Sequence, residues 1–298
     1  NHYQKVFNPE AEIFGDLETS RGCPYCCPYC LTPVMQKLYK GKGKYHREKS
    51  AKRIIAEVEK FRRDKNIDYV RFVDETFILN KSRLREFCEL YKDIRLPFSF
   101  STRPETASDE MMKILSEAGA RAVAFGLESG NEQYRREMLN RKTKQEEVIN
   151  AVALAKKYDI KTFAFVMIGL PHETRELIQD TLELINLLNP DIYQITIFYP
   201  FEGTPFYDYC IKEGLIDKDH ERLTEIWKGS VLKQPGLPSD YLVRLRELML
   251  AFGTRSQSTW PLMYFLEKHP LAFKAWHTSR KLISRATRKH KKPTWMKA

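Results

Sequence analysis

Residues 20–30 read SRGCPYCCPYC, and four of the chain's six cysteines fall in the last eight of these positions. Cys23, Cys26, Cys27 and Cys30 can be parsed in two ways. Taken as two abutting Cys-x-x-Cys pairs, they would serve zinc or a redox dithiol. A four-cysteine zinc site, however, joins two such knuckles across a loop of roughly 15–20 residues. A dithiol needs one pair and gives the second no role. Parsed as Cys23-x3-Cys27-x2-Cys30, the loop offers three thiolates that can curl around the separated corners of an iron–sulfur cluster. One iron is then left for a small chelating molecule. Cys26 becomes a spare whose sulfur points away. Clustering within a long chain also favours a metal site over a disulfide framework.

The stretch stands at the head of a repeating pattern. Short apolar, β-branched or aromatic runs predict strands over 13–19, 69–73, 97–101, 122–127, 162–168 and 192–198. Between them, apolar residues at helical spacing predict helices over 48–63, 82–92, 108–118, 143–157 and 173–188. Ser108 is expected to cap one helix, and Thr143, three residues before Glu146, another. Gly119 and Pro190 stand where helices should stop. Strands and helices in alternation indicate parallel α/β units, and several strands are apolar on both faces, as a helix-covered parallel sheet requires. A doubly wound sheet and a full or partial barrel both fit this periodicity. In either, ligands bind where strands end and loops begin. There the sequence places Ser20, Arg21 and Gly22 before the cysteines, then Asp74 and Glu75, then Ser101 to Arg103. Glu128 to Gly130, Gly169 to Pro171 and Tyr199 to Phe201 follow at the later strand ends. One polar strand end is ordinary loop chemistry, whereas six in register point to one shared site.

The chain has 298 residues, 42% of them hydrophobic, enough for a sizeable buried core. It contains no run of eighteen apolar residues to span a membrane and opens without the apolar stretch of a signal peptide. A cytoplasmic location is expected. Net charge is +11, but nine of the 50 Lys and Arg residues lie in 274–298, a stretch without Asp or Glu. The body of the protein is therefore close to neutral and its tail is basic. Residues 239–253 predict an amphipathic helix, followed by TWPLMYFLEKHPLAFKAW (259–276) and the basic run from Ser279. Aromatic, apolar and cationic residues on one stretch suit the surface of an anionic membrane. They also suit an RNA backbone, or a packed helix with a solvated tail. Nucleic acid is disfavoured, because no RNA-binding module accompanies the tail. The expected organisation is a lead-in over 1–12, an α/β core over 13–230 and a helical extension over 231–298.

With SRGCPYCCPYC following a first strand and opening six βα units, the chain resembles the radical S-adenosylmethionine (SAM) enzymes. Their C-x3-C-x2-C signature carries an aromatic residue before the last cysteine, here Tyr29. ETSRGCPY (18–25), FVDETF (72–77), FGLESGNE (125–132), MIGLPHET (167–174) and YPFEGTP (199–205) come in the order of the subgroup that often carries an upstream cobalamin-binding domain. The likeness runs from about Phe14 to Tyr207. It implies a partial (β/α)6 TIM-like barrel with a mostly helical C-terminal extension. It implies a 4Fe-4S cluster on Cys23, Cys27 and Cys30, with SAM chelating the open iron through its amine and carboxylate. Reductive cleavage of SAM would give methionine and a 5′-deoxyadenosyl radical that abstracts hydrogen from substrate.

The same resemblance assigns roles. Asp74 and Glu75 stand at the amine-binding motif, with Asp74 the favoured side chain. Val-Asp-Glu replaces the Gly-Gly-Glu of many members, which leaves part of that task to backbone carbonyls. Glu128 and Ser129 would hold ribose hydroxyls and the polar part of methionine. Arg141 would pair with the SAM carboxylate, and Arg103 would be a strand-end cation beside an anion. The backbone of Met167, Gly169 and Leu170 would meet the adenine, Gly169 allowing close approach. Tyr29, with Tyr25, would pack around the cluster or SAM. Gln194, Thr196 and Tyr199 could face a substrate, and no catalytic side chain is assigned. Plainer readings stand beside these: an acidic turn at 74–75, a Ser-Gly turn at 129–130, an exposed helix-end cation at Arg141. Cys88 and Cys210 read as ordinary apolar helix positions.

The leading reaction type by resemblance is methyl transfer to a small-molecule or lipid-like substrate. Flavodoxin or ferredoxin would be the electron donor. The Asp-x-His-x-x-Gly motif of cobalamin domains does not occur in the 298 residues. Cobalamin therefore enters only with a domain upstream of Asn1, and a cobalamin-free radical SAM enzyme of another type is the alternative. The rival from a different class is a zinc-stabilised binding protein using its basic tail on a membrane or RNA. A membrane-surface association of the extension is expected from that tail.

Overall fold

A computed structural model describes residues 11–217, 219, 225 and 228–290, with side chains as far as Arg280. Most of the lead-in (1–10) and the end of the basic tail (291–298) lie outside the described residues. Eight strands occur among them: β1 Phe14–Leu17, β2 Ser20–Arg21, β3 Arg47–Glu48, β4 Tyr69–Phe72, β5 Phe98–Thr102, β6 Ala120–Glu128, β7 Lys161–Ile168 and β8 Ile192–Ile197. Six form one sheet in the order β1-β4-β5-β6-β7-β8, every neighbouring pair parallel. The order follows the chain without reversal, so the sheet has no switch point of the doubly wound kind. Among the described residues β8 does not pair with β1. The result is a partial (β/α)6 barrel, and β2 with β3 forms a separate antiparallel pair.

The helices are α1 Thr32–Tyr39, α2 Ala51–Lys65, α3 Lys81–Tyr91, α4 Asp109–Ala118, α5 Glu132–Glu137, α6 Gln145–Lys157, α7 Arg175–Leu188 and α8 Pro205–Lys212. The C-terminal region adds α9 Ser239–Phe252, α10 Trp260–Lys268 and α11 Pro270–His290. Ser108 caps α4 by accepting from Met111 N, and Gly119 ends that helix in the left-handed region at φ 109°. The chain then enters β6 at once, which is why this strand starts two residues earlier than its apolar run predicts. Helix α7 ends at Leu188, two residues before Pro190, with Asn189 in the left-handed conformation. One expectation fails. Thr143 does not cap α6; Lys144 does, its N–H donating to Glu147 Oε2 at 2.7 Å. The Thr143 hydroxyl donates instead to Glu105 Oε2 at 2.7 Å.

Alternate strand residues point outward beneath the helices. Val70, Phe72, Phe98, Phe100, Val123, Phe125 and Leu127 are buried there with Phe77, Phe87 and Tyr91. Phe72 sits at the centre, its ring 5.0 Å from Phe77, 5.4 Å from Phe87 and 5.4 Å from Phe98. Cys88 and Cys210 are buried on α3 and α8 as ordinary core residues. Helix α9 packs across β8, where Tyr193 Oη donates to Met249 O at 3.0 Å. Among the described residues no helix is long and apolar enough to cross a membrane.

Candidate functional site

The cysteine loop is held from several sides. Behind it, the buried Asp74 carboxylate accepts from Thr19 N at 3.0 Å, from Thr19 Oγ1 at 2.8 Å and from the Ser20 hydroxyl. Gly22 turns the chain at φ 83°, and a Cβ there would lie 2.8 Å from Tyr45 O. His46 Nδ1 donates to Gly22 O at 2.6 Å. From α1, Gln36 Nε2 donates to Cys23 O at 2.9 Å and to Tyr25 O at 3.3 Å. Its Oε1 accepts from the exposed Cys26 thiol at 3.2 Å. Phe206 N reaches back to Pro28 O at 3.0 Å.

The other three thiols turn the opposite way. Cys23, Cys27 and Cys30 line one cavity of about 160 Å³ with Tyr25, Tyr29, Thr32, Glu75, Thr76, Arg103, Glu128 and Arg141. Each sulfur has a polar neighbour. Cys23 Sγ is 3.8 Å from Thr76 Oγ1, Cys27 Sγ accepts from Arg103 Nη1 at 3.4 Å, and Cys30 Sγ accepts from Thr32 N at 3.4 Å. Donors aimed at sulfur stabilise thiolates and tune clusters bound by them. Three thiols on one cavity are the donor set of a cluster, whose irons are held at separate corners by cysteine thiolates.

The polar wall is built at strand ends. Register shifts between Gly126 and Glu128 on β6, and Glu128 takes φ 68°. Such a bulge re-aims a side chain beside a site, and here it brings the Glu128 carboxylate to the cavity. Burial pushes that carboxyl up, against the pull of Arg141. The Arg141 guanidinium donates to Gly126 O at 2.6 Å, to Tyr29 Oη at 3.1 Å and to Glu128 Oε1 at 3.4 Å. Its buried Nε has no hydrogen-bond partner among the described residues. Arg141 is thus a buried fork at the cavity and not an exposed helix-end cation. Arg103 stacks on Tyr25 at 3.8 Å from the ring centroid and pairs with Glu105, an arrangement that fixes its direction.

The remaining sequence-predicted residues lie elsewhere. Asp74 is not on the cavity wall: its oxygens are taken by Thr19 and Ser20, so it positions the loop, while Glu75 and Thr76 reach the cavity. Ser129 is buried behind β6, its carbonyl accepting from Arg135 Nη1 at 2.8 Å. Met167 and Leu170 sit with Tyr29 and Phe206 in a smaller apolar cluster, and Gly169 turns at φ 75° above them. Thr76, Thr32, Gln36 and Glu105 went unrecognised. Thr76 follows Asp74 and Glu75 in the same turn, and Gln36 lies one helical turn past the cysteines. Proximity to the motif was the available signal for both. A second cavity of about 300 Å³ lies against the inward-facing residues nearer the strand starts, among them Arg71, Ser99, Ser101, Ala124 and Phe165.

Comparison with known proteins agrees with this geometry. The family model described as the Radical SAM superfamily matches residues 17–185. An uncharacterized methyltransferase of Pyrococcus horikoshii is 32% identical over 81% of this chain and 52% of its own length. The chain therefore spans about half of that relative. Among solved structures, the radical S-adenosylmethionine methyltransferase TsrM from Kitasatospora setae, with cobalamin and a [4Fe-4S] cluster bound, superposes with a TM-score of 0.59 at 18% identity. The match covers 72% of this chain and 39% of that one. The cobalamin-dependent S-adenosylmethionine radical enzyme OxsB gives a TM-score of 0.59 at 17% identity, covering 90% of this chain and 46% of that one. At such identities these structures speak to the fold.

Proposed function

This chain belongs to the radical SAM superfamily, and from that premise we propose that it is the SAM-cleaving barrel of a methyltransferase-type enzyme. One observation carries the reading: Cys23, Cys27 and Cys30 line a single cavity with Glu128 and Arg141 while Cys26 faces away toward Gln36. The family uses a 4Fe-4S cluster and SAM, and the three thiols are the residues that would hold the cluster. When bound, the pair supplies a one-electron cleavage of the sulfonium C–S bond, giving methionine and a 5′-deoxyadenosyl radical that removes hydrogen from substrate. The chain's own residues bind and orient. Glu75 presents a carboxylate, and Arg141 a buried cationic fork with an unused N–H, to the two ends of an amino-acid group. Glu128 accepts hydroxyl protons. Arg103 and Thr32 direct N–H donors at sulfur. Ser99, Ser101, Ala122 and Ala124, small residues on the inner face of the sheet, line the second cavity of about 300 Å³, which would take a substrate.

Methyl transfer is supported by the relatives' names, and cobalamin by the bound cofactor of TsrM and OxsB. It would be held by a part of the full protein other than this barrel. An acidic one-electron carrier would dock beside α1, where exposed Lys37, Lys40, Lys42 and Lys44 follow the cysteine loop. The test is anaerobic reconstitution with iron and sulfide. The protein should turn brown and release 5′-deoxyadenosine from SAM and a reductant. A colourless protein that carries zinc and no sulfide would sink the reading.

A further inference from the structure

We propose that the outer face of α10 and the start of α11 form a docking surface for an anionic lipid bilayer, independent of the cysteine site. Helix α10 is apolar or aromatic at every position from Trp260 to Leu266. Trp260, Met263 and Leu266 point inward and are buried. Leu262 and Phe265, three residues apart on the opposite side, are 49% and 52% exposed. At the corner where α11 begins, Leu271 is 82% exposed, the most exposed large apolar side chain among the described residues. A surface helix of a globular protein carries polar residues on such a face. Leu262, Phe265 and Leu271 place three large exposed apolar side chains within ten residues of chain, which calls for a partner.

Charge selects the partner. From Arg255 to Lys297 the sequence holds eleven Lys or Arg and one acid, Glu267. Glu267 is buried and faces inward, accepting from Arg175 Nη2 at 2.7 Å and from the Tyr241 hydroxyl. Among residues 255–280 no acid is exposed. Lys268 and Lys274, both exposed, flank the apolar corner on either side of Leu271. Further along α11, Arg280 lies over the Trp276 ring at 4.8 Å. Apolar side chains that enter the acyl boundary, ringed by long cationic ones that reach the headgroups, are the two signals a stable peripheral membrane contact needs. A second copy of this chain would bring the same positive charge to the contact. RNA would engage the cations and leave Leu262, Phe265 and Leu271 exposed.

The reconstituted 298-residue chain should be sedimented with phosphatidylcholine vesicles, with and without phosphatidylglycerol. Binding to the anionic vesicles should be at least about tenfold tighter and should weaken as salt rises. F265E/L271E should lower binding to anionic vesicles by about tenfold. K274E/R280E should remove the preference for phosphatidylglycerol. Both variants should retain wild-type circular dichroism and SAM cleavage, because these positions lie outside the cysteine cavity. Three results would each overturn the proposal: equal binding to the two vesicle types; F265E/L271E binding anionic vesicles like wild type; or no vesicle binding by a chain that retains an RNA hairpin or elutes as a dimer.

Discussion

The two faces of the six-stranded sheet are made from alternate residues of the same strands, and they obey different rules. The outer face is set by volume. Phe72, Phe98, Phe100, Val123 and Phe125 fill the space under the helices with large rings and branched chains. The inner face is set by what it leaves out. Ser99, Ser101, Ala122, Ala124 and Gly126 are small and leave a cavity beside larger inward residues such as Arg71 and Phe165, while the cysteines, Glu75, Arg103, Glu128 and Arg141 gather at the strand ends. The outer face makes the sheet stable, and the inner face makes it useful. If the division is real, substitutions should separate stability from chemistry.

The largest separation should come at the cysteines. Cys30→Ala should abolish 5′-deoxyadenosine formation and bound iron while shifting unfolding free energy by no more than about 0.5 kcal/mol, because the thiol lies in the loop and not in the core. Cys26→Ala should keep iron, sulfide and turnover, since its sulfur faces Gln36. Loss of iron on Cys26→Ala would exchange the roles of the two residues. The converse substitution is Phe98→Ala. It removes a fully buried ring that touches Phe72, Phe87 and Tyr91 and should cost about 3–5 kcal/mol in urea unfolding. The fraction still folded should bind iron normally. If that fraction lost its iron, the two faces would be coupled.

A smaller effect tests the polar wall alone. Arg141→Lys keeps the charge but not the planar fork that spans Gly126 O and Tyr29 Oη. SAM affinity should fall about tenfold, with the visible spectrum of the cluster and the unfolding midpoint retained. Unchanged affinity would make Arg141 a brace for β6 and Tyr29.

The comparison also explains what could be read from sequence. The outer face was legible because burial repeats: the runs YVRFV (69–73) and PFSFS (97–101) predict β4 and β5 to within one residue at each end. The cavity was legible where a side chain follows a strand end directly, as at Glu75, Arg103 and Glu128. It was not legible where tertiary hydrogen bonds decide direction. Asp74 and Glu75 are adjacent and both acidic, yet Thr19 and Ser20 claim one carboxylate while the other faces the cavity. Ser129 was misplaced for a local reason: a bulge and a positive φ at Glu128 break the alternation that pattern reading assumes. Thr143 failed as a cap because Glu105, remote in sequence, takes its hydroxyl. Strand order was open because periodicity does not encode which strands are neighbours.

The smallest predicted effect lies where the outer packing meets the cavity edge. Glu173 is buried after β7, and its Oε2 accepts from Gly169 N at 2.5 Å and Leu170 N at 3.2 Å. Its Oε1 is buried without a hydrogen-bond partner among the described residues, so a proton there leaves both accepted bonds intact. Burial, only partly opposed by those two N–H groups, pushes this carboxyl up to about 8. An unfolded glutamate releases its proton near pH 4.3 or so, about the ordinary value. Between these two points the folded chain holds a proton that the unfolded chain has lost. The resulting stabilisation is complete at the acid end of the window and is lost as pH rises toward 8. Stability should therefore decrease by about 1 kcal/mol between about pH 6 and about pH 7. Glu173→Gln keeps the acceptor oxygen for Gly169 and Leu170 and carries no titrating proton, so it should flatten the slope while leaving the 169–170 turn in place. The same pH dependence in wild type and Glu173→Gln would mean that Glu173 is ionised in the fold and that the turn is held by a charge.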